Sequence, residues 1–144
     1  MDLSQLLGRL ADSLAGQSEA EVDIEVQPGV ENALSAEAKV AMYRIAQEAF
    51  NNVAKHARAS HVIAAAKRID QSVVLSVEDD GVGFRIGSDQ AVAGQMGLDI
   101  MGERAREIGA ALEIERVVPT GTRISVRWTP PAEIAQAGDQ QGGG

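Results

Sequence analysis

The chain has 144 residues, 44% of them hydrophobic, which is enough for one globular domain with a single core. It contains no cysteine, which excludes disulfides and thiolate metal sites and suits a reducing compartment. A formal net charge of -8, with only two phenylalanines, one tryptophan and one tyrosine, argues against a nucleic-acid surface, because such surfaces are usually basic and carry stacking rings.

The first half of the chain predicts a helix, a strand and a second, longer helix. Leucines recur at helical spacing from Leu3 to Leu14, which indicates an amphipathic helix over residues 1–15. The stretch "EVDIEVQ" alternates apolar and acidic residues, as a half-buried strand does. Ser35 can cap a long helix that runs to about Ala57. Residues on one arc of that helix are predicted to face the core: Met42, Ile45, Ala46, Ala49, Phe50, Val53 and Ala57.

The second half of the chain predicts two hairpins separated by a long loop and a helix. Residues 61–69 and 72–78 have the pattern of two strands joined by a tight turn. The stretch from 81 to 97 is interrupted by glycines and has no sustained period, so we expect a loop or lid there, followed by a helix over 98–108. "ALEIERVV" and "TRISVRW" alternate around "PTG" and predict the second hairpin. Its inward-facing residues would be Leu112, Ile114, Ile124, Val126 and Trp128, with Arg123, Ser125 and Arg127 facing water.

This order of elements predicts an α+β fold, a mixed and mostly antiparallel sheet with helices packed on one face. Residues 1–129 would form the domain, and residues 1–15 would be a linker-type amphipathic helix that either connects to another domain or packs on its own sheet. Residues 130–144, which end in "GDQQGGG", have little to bury and are expected to be disordered. Because a fold alone names no function, the function has to be argued from the motifs.

Four stretches carry residue types that suit a nucleotide site. On the long helix, Glu48, Asn52 and Lys55 share a polar strip, although any solvated helix face gives the same pattern. "VEDDGVGF" ends a strand with Asp79 and then places glycines at alternate positions, where the backbone can approach a flat ligand; a plain turn is the alternative. "AGQMGLDIM" opens the predicted helix with N–H groups that can receive phosphate oxygens, unless it is only a flexible loop. "PTGTRISV" puts Thr122 at the start of the last strand, where the alternative is a hairpin turn.

In this order and spacing, the four stretches resemble the GHKL superfamily of ATP-binding domains, which is shared by gyrase, MutL, the heat-shock chaperone and histidine kinases. "YRIAQEAFNNVAKHARAS" and "GLDIMGERAREIGA" are similar to the catalytic, ATP-binding domain of sensor histidine kinases of the nitrate-sensor and DesK type. The resemblance covers about residues 1–129. It implies the Bergerat-type α/β sandwich, with ATP and Mg²⁺ as the bound nucleotide and metal.

The resemblance assigns the polar strip of the long helix to the triphosphate. Asn52 matches the asparagine whose side-chain oxygen ligates Mg²⁺, an ion that prefers hard oxygen ligands. Glu48 matches an acidic position that helps to orient or accept a proton. Lys55 matches a basic residue beside the phosphates, and His56 would also contact the nucleotide, with a structural role as the alternative.

The other motifs match the adenine side and the lid of the family's site. Asp79 would accept a hydrogen bond from the adenine amino group, and Thr122 would reach the edge of the same base. The remaining positions would border the base and the lid, or form the phosphate end of the lid: Gly81 and Gly83, and Gly97 and Leu98.

The implied function is that of half an enzyme. A histidine kinase needs an acceptor histidine, and the two histidines of this chain, His56 and His61, do not lie in an acceptor motif. The chain is therefore expected to transfer the γ-phosphate of ATP to a histidine on a separate dimerisation domain, and to reach a response regulator only indirectly. Two alternatives stay open: an anti-sigma factor with serine-kinase activity, and a self-sufficient ATPase of the MutL or gyrase sort with Glu48 as its base.

Neither nucleic acid nor the membrane is expected as a direct partner. The longest apolar run is "VIAAA", far short of the roughly 20 residues of a membrane helix, and no signal segment opens the chain. We therefore expect a cytoplasmic domain, although the parent kinase can be membrane-anchored. Without a dimerisation domain, the isolated chain is expected to be monomeric.

Overall fold

The computed structural model describes residues 1–81 and 89–131, except for the side chains of residues 56, 57 and 89–97. Within these residues, helices alternate with the strands of one sheet. In chain order the elements are α1 (Leu3–Ala15), β1 (Glu21–Val26), α2 (Val30–Ala33), α3 (Ala36–Asn52), β2 (His61–Ile69), β3 (Ser72–Asp79), α4 (Asp89–Glu107), β4 (Ala111–Arg116) and β5 (Thr122–Trp128). A single π-helical turn, Val53–Ala57, continues α3.

The strands form one five-stranded sheet in the order β1-β2-β3-β5-β4. β1 runs parallel to β2, and all the other neighbours are antiparallel. Along β3, every second residue from Val73 to Val77 is buried, and the same holds along β5 from Ile124 to Trp128. These residues face the helices, whereas Ile63 and Arg127 on the other face of the sheet are exposed. The structure thus confirms the predicted α+β class, the mixed sheet and the single helical layer.

Helix α1 is packed into the core. Its leucines at helical spacing are buried against α3 and β1: Leu3, Leu7, Leu10 and Leu14. Asp2 caps the helix by accepting a hydrogen bond from the Gln5 N–H at 2.8 Å. Glu31 accepts from the Leu3 N–H at 2.8 Å and pairs with Lys39 of α3 at 2.8 Å. Helix α1 therefore packs on its own domain, and its connection to another domain stays a prediction.

Helix α3 begins and faces the core as its sequence predicts. Ser35 Oγ accepts from the Ala38 N–H at 3.0 Å, and the first turn carries Glu37 near the positive end of the helix dipole. The predicted core residues from Met42 to Val53 are buried, while the side chain of Ala57 lies outside the described residues. The π-turn ends at Arg58, whose φ of 51° turns the chain toward β2.

Helix α4 is longer than the sequence predicts. The prediction placed its start at Leu98 and assigned residues 81–97 to a loop, whereas the helix begins at Asp89. Glycines weaken a helix by about 1 kcal/mol each, but alanine, glutamine and methionine between them favour it, and tertiary packing can outweigh the difference. Met101 and Ala105, both buried in the core, hold the part of α4 that the sequence predicts. The remaining part of the predicted loop, residues 82–88, lies outside the described residues.

Two further features add to what the sequence predicts. Ile114 lies opposite the buried Ile124 and faces the helical side as predicted, but it is 42% exposed, because β4 is the edge strand. Helix α2 was not predicted, since its four residues contain too few apolar positions to show a period. The predicted disordered tail lies almost wholly in residues 132–144, outside the described part of the chain. In the part that is described, no helix has the length and apolar character needed to cross a membrane.

Two glycines with open space around them give a matched test of the backbone. A Cβ added at Gly102 or at Gly109 would meet no atom within 4 Å, but Gly109 has a φ of +67° and Gly102 lies inside α4. We expect Gly102→Ala to stabilise the domain by about 1 kcal/mol, because alanine restricts the unfolded chain and favours the helix. Gly109→Ala should destabilise it by about 1 kcal/mol, because an L-residue is strained at positive φ.

Urea unfolding of the two variants beside the wild type measures both effects. Equal shifts of the midpoint in the same direction would show that local space, and not backbone conformation, decides the outcome at these positions.

Candidate functional site

Asp79 and Thr122 lie opposite each other at one end of the sheet. They are cross-strand partners, Asp79 as the last residue of β3 and Thr122 as the first residue of β5. Asp79 continues the buried series of β3, and Thr122 that of β5, so both side chains point to the helical layer. Each residue is only 8% exposed. Side chains paired in this way are neighbours, with Cβ atoms about 5 Å apart.

The Asp79 carboxylate is held by the turn that follows it. Its Oδ1 accepts a hydrogen bond from the N–H of Gly81, itself buried, at 2.8 Å. Burial raises the pKa of Asp79 above its ordinary value of 3.8, and the Gly81 hydrogen bond partly opposes that rise. Among the described contacts, Oδ2 accepts no hydrogen bond. Within the described part of the chain, the carboxylate therefore has one oxygen engaged and the other without a donor.

The turn between β4 and β5 packs directly against this carboxylate-bearing backbone. Gly121 has a φ of +128°, and a Cβ there would lie 2.1 Å from the carbonyl oxygen of Asp79. Only glycine allows the two segments to approach so closely. The glycine of the "PTGT" stretch is therefore explained by the close contact with Asp79, which the sequence alone did not reveal.

The polar strip of α3 contains a buried amide nitrogen that has no partner among the described residues. Glu48 and Asn52, one helical turn apart, are half-buried, whereas Lys55 on the π-turn is exposed. Asn52 Nδ2 is buried and makes no hydrogen bond with the described part of the chain. An unpaired buried polar group costs about 1–3 kcal/mol, and a ligand that pairs with this group would remove that cost. Because rotation of the amide exchanges its two ends, this position can present either an oxygen or an N–H.

The fold brings the end of α3 and the end of β3 together. After the π-turn, the chain reverses at Arg58 and enters β2 at His61, and Val62 then pairs with Asp79. α3 also packs on the inner face of β3 and β5, and α4 packs against α3. Asn52 and Asp79 therefore belong to the same end of the helix-covered face.

Four of the predicted positions need a correction or lie outside the described residues. Gly97 and Leu98 were expected to offer N–H groups at the start of a helix, but both lie in the interior of α4. Interior N–H groups are bonded to carbonyls one turn earlier, so the reason given for phosphate binding does not hold for this helix. Gly83 and the side chain of His56 lie outside the described residues.

Asp80 is a structured residue of this region that the sequence did not single out. Its Oδ1 accepts hydrogen bonds from the N–H groups of Ser60 at 2.7 Å and His61 at 3.0 Å. An aspartate after a strand is usually assigned to a turn, and only the three-dimensional pairing of β2 with β3 shows what it binds.

Comparison with known sequences matches this chain to histidine kinases. Residues 37–133 match the family described as "Histidine kinase-, DNA gyrase B-, and HSP90-like ATPase". The sequence is 34% identical over 125 residues to sensor histidine kinase LiaS of Bacillus subtilis strain 168, across 87% of this chain and 33% of LiaS. It is 41% identical over 96 residues to the signal transduction histidine-protein kinase/phosphatase UhpB of Salmonella typhimurium LT2, across 67% of this chain and 18% of UhpB. The chain thus spans about a third of one relative and less than a fifth of the other.

Solved structures show the same architecture. The histidine kinase domain of the Erythrobacter litoralis EL346 blue-light activated histidine kinase superposes with a TM-score of 0.72 at 25% identity, covering 89% of this chain and 65% of that chain. The ATP binding domain of PrrB from Mycobacterium tuberculosis superposes with a TM-score of 0.61 at 24% identity, covering 91% of this chain and 96% of that chain. The second match shows that the fold occurs as a unit of about this size.

Proposed function

Because the chain belongs to the histidine kinase-, DNA gyrase B- and HSP90-like ATPase family, we propose that it is the catalytic, ATP-binding domain of a sensor histidine kinase. The relatives reported above are sensor kinases, which favours this function over an anti-sigma factor or a self-sufficient ATPase. A single observation supports the assignment of particular residues to the nucleotide site. Asn52 Nδ2, which has no partner among the described residues, and the Asp79 carboxylate, with Oδ1 bound by Gly81, lie at the same end of the helix-covered face.

We propose that the adenine binds at the Asp79 end of this site. Asp79 Oδ2 accepts from the 6-amino group of the base, since Oδ1 is already engaged by Gly81. Thr122, paired with Asp79 across the strands, lies beside the edge of the base. Gly81 and, by the family resemblance, Gly83 border the base, where the absence of side chains leaves room for it.

We propose that the triphosphate extends toward α3. Asn52 would hold Mg²⁺ through its amide oxygen, which fits the buried position that has no partner in the described part of the chain. No group of three or more histidine or acidic side chains suited to a metal occurs among the described residues, so phosphates and water would supply the other ligands. When bound, the ion would neutralise part of the phosphate charge.

The neighbours of Asn52 suit the same end of the ligand. Lys55 is exposed on the π-turn, one turn beyond Asn52, where an ammonium can reach a phosphate. Glu48 is half-buried one turn before Asn52, where it can orient a reacting group or accept a proton. His56, Gly97 and Leu98 are proposed as further nucleotide contacts on the resemblance alone. Gly97 and Leu98 would make these contacts from within α4.

We propose that the γ-phosphate goes to a histidine on a separate dimerisation domain of the parent kinase, and from there to a response regulator. His61, at the start of β2, lies between Glu21 at 3.3 Å and Asp80 at 3.6 Å, on the side of the sheet away from Asn52. Catalysis would rest on positioning and charge neutralisation, as in phosphoryl transfer generally. The nitrate-sensor and DesK subgroup and a cytoplasmic site of action are proposed on the sequence resemblance.

The β1 edge of the sheet favours a monomer for the isolated domain. The side chains of Glu21, Asp23 and Glu25 alternate along β1 and are exposed. Pairing of two such edges across a two-fold axis would bring carboxylates together, which disfavours strand addition. Dimerisation would then depend on the separate histidine-bearing domain.

Transfer in trans tests the proposal. The chain is mixed with a histidine-bearing dimerisation domain of a related sensor kinase and γ-labelled ATP·Mg²⁺. We expect label on that domain, lost when its histidine is changed to alanine, and very slow ATP hydrolysis by the chain alone. A chain that binds ATP, leaves that domain unlabelled and hydrolyses ATP steadily, with loss of hydrolysis in Glu48→Ala, would instead be a self-sufficient ATPase.

A further inference from the structure

The turn after β3 is held from two sides by contacts that involve Asp80. Its carboxylate oxygen Oδ1 accepts from the N–H groups of Ser60 and His61, which lie at the start of β2. On the other side, the Thr120 hydroxyl donates to the Asp80 carbonyl oxygen at 3.1 Å. Both contacts fix the backbone that carries the Asp79 carboxylate.

We propose that Asp80 is a positioning residue for base recognition. By accepting the Ser60 and His61 N–H groups, its carboxylate fixes the turn from Asp79 to Gly81 and holds Asp79 Oδ2 where the base presents a donor. Asp80 acts through Asp79 and does not touch the ligand. This inference rests on the proposed function, because it takes adenine as the ligand at Asp79.

The position of Asp80 in the sheet explains why a side chain is needed there. The β2–β3 ladder is complete at the pair of Val62 and Asp79, and one further backbone bond joins the Asp80 N–H to the His61 carbonyl oxygen at 3.3 Å. Beyond it, the Asp80 carboxylate ties the turn to β2. If the turn relaxed, the Gly81 N–H would move away from Asp79 Oδ1, and the buried carboxylate would lose the donor that orients it.

The charge state of Asp80 agrees with this arrangement. The hydrogen bond from the His61 N–H, together with that from Ser60, holds the pKa of Asp80 below its ordinary value of 3.8. The acceptor oxygen matters more than the charge, because one oxygen receives both N–H groups. Asparagine keeps such an oxygen and alanine does not, so the two substitutions separate positioning from charge.

The test compares the affinities of ATP and of purine riboside triphosphate, which lacks the 6-amino group, in the full chain. Wild type should prefer ATP by at least about 10-fold, the effect of one charge-assisted hydrogen bond. In Asp80→Ala the preference should fall to within about 3-fold of unity, and in Asp80→Asn it should stay within about 2-fold of wild type. A merely structural role would weaken both nucleotides equally and leave their ratio unchanged, which would overturn the inference.

Two further outcomes are informative. If circular dichroism shows that Asp80→Ala is unfolded, Asp80→Ser takes its place, because serine suits a turn but lacks the carboxylate oxygen that receives both N–H groups; an unchanged ratio there would also overturn the inference. Wild-type protein that binds neither nucleotide would overturn the proposed function and this inference together. An unchanged ratio in a variant that binds ATP overturns this inference alone.

Discussion

Asp79→Asn is expected to weaken ATP binding by at least about 30-fold, or about 2 kcal/mol, because a charge-assisted hydrogen bond is lost. The Gly81 N–H already occupies one acceptor of this side chain. An asparagine that keeps this bond must present its NH₂ group to the adenine amino group, so a donor faces a donor. Titration with a fluorescent ATP analogue measures the loss.

Glu78→Gln is the matched control for that substitution. Glu78 is the preceding acid of β3, lies on the opposite face of the sheet and accepts from Arg123 at 2.7 Å. The substitution removes the same charge one residue before Asp79. Because Glu78 lies on the opposite face of the sheet, ATP affinity should stay within about 2-fold of wild type, and the loss of a partly exposed ion pair should change stability little. Equal losses in both variants would show that net charge, and not the Asp79 contact, governs binding.

The stability of Asp79→Asn should move in the opposite direction to its affinity. Burial raises the folded-state pKa of Asp79, so the folded state favours the protonated form and the ionised form costs stability at neutral pH. We therefore expect the variant to be at least as stable as wild type at pH 7. As pH falls through the raised pKa toward 3.8, wild type should gain stability relative to the variant. Urea unfolding across that range checks the sign.

Asn52→Ala is expected to lower phosphoryl transfer by at least about 100-fold, since even outer partners of metal ligands contribute 10- to 100-fold. The domain itself should be no less stable, because Asn52 Nδ2 is buried without a partner in the described part of the chain and alanine favours the helix. Labelling of the histidine-bearing domain in trans measures the transfer, and calorimetric titration of ATP with and without Mg²⁺ measures the metal-dependent part of binding.

Asn51→Ala provides the control for Asn52→Ala. Asn51 is the adjacent asparagine, but it lines a small groove against Leu10 and Leu14 of α1. Its loss should leave transfer unchanged. If Asn52→Ala bound ATP·Mg²⁺ as tightly as Asn51→Ala, and the two transferred phosphate at the same rate, Asn52 would not be the metal ligand.

The strand and helix patterns of the sequence were sufficient for most of the fold. β2 and β5 have the predicted bounds, and Ser35 caps α3 as expected, because these signals depend on neighbouring residues only. Alternation shows which residues share a face but not whether that face is covered, which is why Ile114 faces inward yet is 42% exposed. The start of α4 was wrong because glycines are read as breaks, whereas the helix continues through them from Asp89.

The site was less accessible to sequence reasoning than the fold. Periodicity placed Asn52 on a polar strip, and the strand pattern ended at Asp79, but their meeting at one end of the sheet depends on β2 pairing with β3. The contact of Gly121 with Asp79 and the bonds of Asp80 are equally non-local. The π-turn after α3 has no sequence period of its own, so it was missed as well.

Amide chemical shifts compared between adenosine and ATP·Mg²⁺ test the central claim most directly, namely that one nucleotide joins Asp79 to Asn52. The Gly81 N–H, which donates to Asp79, reports the base, and the Asn52 side-chain NH₂ reports the phosphates. We predict that adenosine shifts only the Gly81 signal and that ATP·Mg²⁺ shifts both. If saturating ATP·Mg²⁺ leaves either signal unchanged, the two residues do not share a ligand.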